Sequence, residues 1–98
     1  MPRVSYSVAA IADIKRLKDF LAQKDITVAK RAITAIRNGL DNIVTFPERH
    51  RPIEGMLYHR EALINFGSSG YVARFRHLPN GDITIARIRH QLEDDYPE

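Results

Sequence analysis

The stretch Tyr71-Val72-Ala73-Arg74-Phe75-Arg76-His77-Leu78-Pro79-Asn80-Gly81-Asp82-Ile83-Thr84-Ile85-Ala86-Arg87-Ile88-Arg89 decides the fold. Two runs rich in β-branched and aromatic residues flank Pro79-Asn80-Gly81, and Asn-Gly is the strongest short hairpin signal because both residues tolerate a left-handed backbone. Strands are therefore predicted over residues 71–77 and 82–89. Upstream, Gly67-Ser68-Ser69-Gly70 reads as a second hairpin turn, preceded by a strand over residues 60–66. It is not a phosphate loop, since it joins two strands, lacks the lysine and opens no helix.

Further upstream the period changes from two to about 3.6. Ile11, Ile14, Leu17 and Leu21, with Phe20 beside them, form an apolar stripe backed by Asp13, Lys15, Arg16, Lys18 and Asp19, with Ser7 as N-cap. After the break at Gln23-Lys24-Asp25, a second stripe runs Ala29, Ala32, Ile33, Ile36, Leu40 and Ile43 behind a cap at Asp25 or Thr27. Pro47 ends it. Two helices so closely joined predict an αα-hairpin. Val4, Tyr6 and Val8, alternating with Ser5 and Ser7, predict an opening strand, and residues 46–57, with Pro47, Pro52 and Gly55, read as an irregular connection. The order β-α-α-β-β-β predicts an α+β fold in one domain spanning 1–98: a helical hairpin on one face of a small, mainly antiparallel sheet.

The 98 residues suffice for a single domain, and 44% hydrophobic with 28% charged residues is ordinary globular composition. With no cysteine, disulfides and thiolate metal sites are excluded. The four histidines (His50, His59, His77, His90) fall at no ligand spacing, so no metal site and no cofactor are expected. Neither a signal core nor a membrane-spanning run is present, which predicts a cytoplasmic protein with no membrane partner.

Charge is distributed unevenly. Glu93, Asp94, Asp95 and Glu98 crowd the last residues, so the 15 Lys and Arg of residues 1–90 face only the other eight acids. The body stands near +7. A basic body suits an acidic protein or nucleic acid. Strict alternation places Arg74 and Arg76 on one face of their strand, and Arg87 and Arg89 on the same face as Ile83 and Ile85. Since Asp82 is the one acid in residues 66–90, Arg74, Arg76, Arg87 and Arg89 are expected to form an under-partnered patch. His90 and Tyr96, with Arg89, are the neighbouring trio able to do acid–base chemistry on RNA.

The run Leu63-Ile64-Asn65-Phe66-Gly67-Ser68-Ser69-Gly70-Tyr71-Val72-Ala73-Arg74-Phe75, followed by Ile83-Thr84-Ile85-Ala86-Arg87-Ile88-Arg89-His90, resembles the C-terminal half of the ParE/RelE toxin superfamily. Its members share a Gly-Tyr step into the central strand, a strand ending in Arg-His and a tyrosine several residues later, where Tyr96 stands here. The resemblance implies the toxin of a type II toxin–antitoxin (plasmid stabilisation) system, neutralised by a ParD-like or other small antitoxin. RelE-like members are ribosome-dependent mRNA endoribonucleases that place an arginine right after Gly-Tyr. This chain has Val72 there and lacks lysines between Arg51 and Tyr58. The departure implies the ParE-like branch, with the DNA gyrase A subunit as target and no enzymatic activity. Under the nuclease alternative, with direct nucleic-acid binding, His90, Tyr96 and Arg89 are the catalytic set. Under either, Arg74, Arg76, Arg87 and Arg89 form the patch for target or antitoxin, and the antitoxin is expected to fill an apolar groove beside the helical hairpin as well.

Overall fold

The computed structural model describes residues 2–97; Met1 and the tail acid Glu98 lie outside the described residues. Strand β1 (Val4–Tyr6) leads into α1 (Val8–Ala22) and α2 (Ile26–Thr45). A 3₁₀ turn at Pro47–Arg49 follows, then β2 (Arg51–Pro52), β3 (His59–Phe66), β4 (Ser69–His77) and β5 (Ile83–His90). The sheet order is β1-β5-β4-β3-β2, antiparallel except where β1 lies parallel to β5. The expected α+β architecture is present. β2 and the 3₁₀ turn, both too short to carry a period, lie within the stretch expected to be irregular, and Val8, expected in the opening strand, begins α1.

Local chemistry explains the boundaries. Ser7 Oγ accepts the Ala10 N–H, and the same hydroxyl donates to the Ala86 carbonyl, tying the start of α1 to β5. Asp25 caps α2 by accepting from the N–H groups of Thr27 and Val28, and Pro47 stops that helix just after Thr45. The β3–β4 turn is the two residues Gly67-Ser68, with Gly67 at φ 61°, so Ser69 and Gly70 belong to the strand rather than to the turn.

Ile36, Leu40 and Ile43 of α2 meet Ala62 and Ile64 of β3, Tyr71, Ala73 and Phe75 of β4, and Ile83, Ile85 and Ile88 of β5. The stripe of α1 is rotated from its expected register. Ala10, Asp13 and Leu17 are buried, while Ile11 and Phe20 are each 58% exposed. With Leu40 only 4% exposed, Leu40→Ala is expected to cost about 2–5 kcal/mol in chemical denaturation. That is a large share of the roughly 5–15 kcal/mol stabilising a domain this size.

A β-bulge redirects β5. Phe75 pairs with Ile85 but Arg74 pairs with Arg87, leaving Ala86 as an extra residue. Strict alternation fails there: Ile83, Ile85 and Ile88 face the helices, whereas Arg87 and Arg89 turn to the opposite face. The expectation that Ile83, Ile85, Arg87 and Arg89 share a face is thereby corrected.

Candidate functional site

β1 covers the outer edge of β5 only as far as Ile85, so from Ala86 onward the edge would present unpaired backbone groups. Helix α1 completes it with side chains. Asp13 Oδ2 accepts the Ile88 N–H at 2.9 Å, and Arg16 donates to the Ile88 carbonyl. The Arg87 guanidinium reaches the same carboxylate in a fork, Nε to Oδ2 at 2.8 Å and Nη2 to Oδ1 at 3.1 Å. Burial works to raise the Asp13 pKa, but the Arg87 and Ile88 hydrogen bonds and the charges of Arg87 and Arg16 prevail and hold it below its ordinary value. Helical periodicity assigns Asp13 to the solvent face; at 3% exposure it is instead buried against β5.

On the sheet face away from the helices, Arg74 and Arg87 are paired positions, as are Val72 and Arg89. Tyr96 folds back over them. Its ring centre lies 4.7, 5.2 and 5.5 Å from the guanidinium carbons of Arg74, Arg87 and Arg89, and Val72 beneath is buried. Arg87 also donates to the Pro97 carbonyl and Arg89 to that of Glu93, both at 2.6 Å. The four arginines are therefore not equivalent. Arg87 is committed to Asp13 and Arg89 to the C-terminal turn. Arg74 is stacked on Tyr96 with its Nε unpartnered among the described residues, and Arg76 is exposed and forms no ion pair among them. The expected under-partnered patch narrows to Arg74 and Arg76. Glu61, opposite Arg74 on β3 and bonded to Arg51 at 3.1 Å, places a carboxylate on this face, which the sequence reading passed over. Burial raises the Tyr96 phenol pKa against the pull of Arg74 and Arg89, so the group stays protonated and uncharged near neutrality.

His90 is on the other side of the sheet. It pairs with Tyr71, their rings meet edge-on at 5.5 Å, and both nitrogens are engaged. The Leu92 N–H can only donate, so Nδ1 accepts it at 3.1 Å and the ring proton sits on Nε2, 3.1 Å from Ser69 Oγ. The structure thus unites Tyr96 with Arg89 but separates His90 from both. His50, its ring edge-on to Phe75 at 5.7 Å, lies apart again, as do His59 and His77; no group of potential metal ligands occurs among the described residues.

His90 instead lines an apolar groove of about 570 Å³ between α1 and the β3–β4 turn, walled by Leu17, Phe20, Leu21, Phe66 and Tyr71, with the Arg16–Glu93 ion pair at its rim. The site thus has two faces: a groove beside the helical hairpin and an arginine face under Tyr96. No helix among the described residues is long and apolar enough to cross a membrane.

Comparison with known proteins bears on this arrangement. The family model described as the ParE toxin of the type II toxin–antitoxin system, parDE, matches residues 4–95. Toxin RelE1 of Caulobacter vibrioides is 36% identical over 90 residues, covering 92% of this chain and 94% of that protein. Toxin RelE3 of the same organism is 31% identical, covering 95% and 98%. Among solved structures, the chromosomal ParDE TA system from P. aeruginosa superposes with a TM-score of 0.71 at 20% identity, covering 92% of this chain and 96% of that one. The intact E. coli RelBE toxin–antitoxin complex gives 0.59 at 14%, covering 90% and 94%.

Proposed function

This chain belongs to the ParE toxin family of type II toxin–antitoxin systems, and from that premise we propose that it poisons DNA gyrase as a binding inhibitor until a cognate antitoxin masks it. The observation that carries the inhibitor reading is the division of the trio His90, Tyr96 and Arg89 by the sheet. Phosphodiester cleavage needs a proton acceptor, a proton donor and a cation converging on one phosphate. Here the imidazole is turned into the groove and saturated by Leu92 and Ser69, while Tyr96 is wedged among guanidinium groups. Such a face is better suited to docking. In the same proposal the antitoxin lays an apolar segment into the groove lined by Leu17, Phe20 and Phe66, and adds acidic contacts to the arginine face.

A second reading, ribosome-dependent cleavage of mRNA, draws on Glu61, a carboxylate on the same face as Tyr96 and Arg74 that would stand in for His90 as base. One set of variants decides. Purified toxin is assayed for inhibition of gyrase supercoiling and, separately, for cleavage of ribosome-bound mRNA. Under the inhibitor reading His90→Ala, Glu61→Gln and Tyr96→Phe keep most of their potency against gyrase. Arg74→Glu combined with Arg76→Glu loses roughly 30-fold, the order of about 2 kcal/mol at an interface hot spot. Arg87→Glu is a poor probe because it also breaks the Asp13 pair. Cleaved message that disappears in Glu61→Gln and Tyr96→Phe, with gyrase untouched by the wild type, would reverse the assignment.

A further inference from the structure

At the end of the β3–β4 hairpin opposite the groove, the chain adopts a conformation that its sequence does not favour. Tyr58 sits at φ 63°, the one non-glycine residue with positive φ among those described. For a large aromatic residue this region is uncommon, because Cβ crowds the following carbonyl, and such outliers persist where the surroundings over-determine them. They do so here. The Tyr58 carbonyl accepts the His77 N–H at 2.9 Å, the Leu57 carbonyl lies 2.8 Å from His59 Nδ1, and the His59 and Met56 N–H groups close successive turns onto Met56 and Ile53. The arrangement aims two large side chains outward, Leu57 at 75% exposed and Tyr58 at 45%. A cleft of about 580 Å³, walled by Pro52, Ile53 and Met56, opens beside them. His59, Arg60 and His77 line the same cleft, and Arg76, exposed and free of ion pairs among the described residues, is the paired position of His59 on β4. Glu54 is the one carboxylate between β2 and β3.

We infer that Leu57 and Tyr58 form an anchor that inserts into an apolar pocket with an acidic rim on the protein this toxin poisons. The inference rests on the toxin reading above and names the surface by which the target is held. Aromatic anchors ringed by polar groups carry most of the energy in protein interfaces. Leu57 argues for a protein occupant over a nucleic acid: an aliphatic side chain, more exposed than its aromatic neighbour, offers nothing to a phosphate or a base edge but fills a pocket. Arg60 in the cleft wall and the unpaired Arg76 across from His59 select an acidic surround.

The backbone supplies the test. Glycine accepts positive φ freely, so Tyr58→Gly removes the anchor and relieves the strain at once. Full-length wild type, Tyr58→Gly and Leu57→Asp are compared for melting temperature, for growth arrest on induction, for co-purification with the antitoxin expressed beside them, and for retention on heparin. Expected are an unchanged or higher melting temperature for Tyr58→Gly, unchanged co-purification and heparin retention for both variants, and at least tenfold weaker growth arrest by both, since each tenfold is about 1.4 kcal/mol of lost contact. Growth arrest is read because it does not depend on which machine is poisoned. A wild type that leaves growth untouched overturns the toxin reading and the anchor with it. Wild-type arrest matched by both variants overturns the anchor alone, as does loss of heparin retention, which would make the occupant a nucleic acid. Loss of antitoxin binding by folded variants would assign the surface to the antitoxin instead.

Discussion

Asp13→Ala is expected to lose about 3–5 kcal/mol of stability, enough to leave a domain of this size partly unfolded at neutral pH. The substitution strands two groups at once. The Arg87 guanidinium keeps its charge without its forked partner, and the Ile88 N–H, buried at the bare edge of β5, loses its acceptor. An unsatisfied buried donor alone costs about 1–3 kcal/mol. Asp13→Asn keeps an oxygen for Ile88 but not the charge, and should fall between. The pH dependence carries a matching signature. Because the folded pKa lies below the ordinary 3.8, the unfolded chain takes up the proton first as pH falls. The carboxylate's contribution is therefore complete above that value and fades as pH drops through the folded pKa, so Asp13→Ala should flatten the acid limb of stability. Urea midpoints from pH 2 to 7 measure both effects. A neutral-pH loss under about 1 kcal/mol would show that the edge of β5 is held some other way.

Gly70→Ala is expected to be comparably severe, for steric rather than electrostatic reasons. A Cβ at this position would lie 2.1 Å from the Ile64 carbonyl oxygen and 3.2 Å from Asn65 Cα, both backbone atoms of the paired strand. Backbone cannot rotate away, so β3 and β4 must separate where Ser69 also bonds His90. Overpacking costs typically about 1–3 kcal/mol, and this site should meet or exceed the upper figure. Gly39→Ala is the instructive contrast. Its Cβ would meet only side-chain carbons of Ile64, at 2.5 to 3.0 Å, and alanine is about 1 kcal/mol better than glycine inside a helix. A net change within about 1 kcal/mol is expected there. Thermal melts of the two variants side by side test the distinction; a Gly70→Ala protein as stable as wild type would sink it.

These two residues also mark how much the sequence discloses. Periodicity located both helices, and the Asn-Gly and Gly-Ser turns located the hairpins, because each depends on neighbours in the chain. Asp13 looked like one more charge on a polar helix face, since nothing within a helix reports that a strand from the far end of the chain will present an N–H to it. The bulge at Ala86 is equally silent: one extra residue in a strand leaves composition unchanged yet turns Arg87 and Arg89 to the opposite face. That is why the four arginines could be found by counting while their division into structural and available members could not. The separation of His90 from Tyr96 has the same origin, because adjacency in sequence fixes nothing about sides of a sheet once the chain turns back after residue 90. Leu57 and Tyr58 lay in a stretch read as mere connection.

The pairing of β1 with β5 has a consequence for synthesis. Residues 4–6 and 83–85 are separated by almost the entire chain, and the bonds from Ser7 to Ile85 and from Asp13 to Ile88 span the same interval. Contacts of such long sequence separation form late and slow folding. A nascent chain therefore has nothing to pair with its first strand, and no ladder to seat its first helix, until the last strand has left the ribosome. An interrupted translation product would hold neither face of the site. Neither face is assembled before β5 has been made, which gives an antitoxin already present in the cell the whole of that interval in which to be waiting.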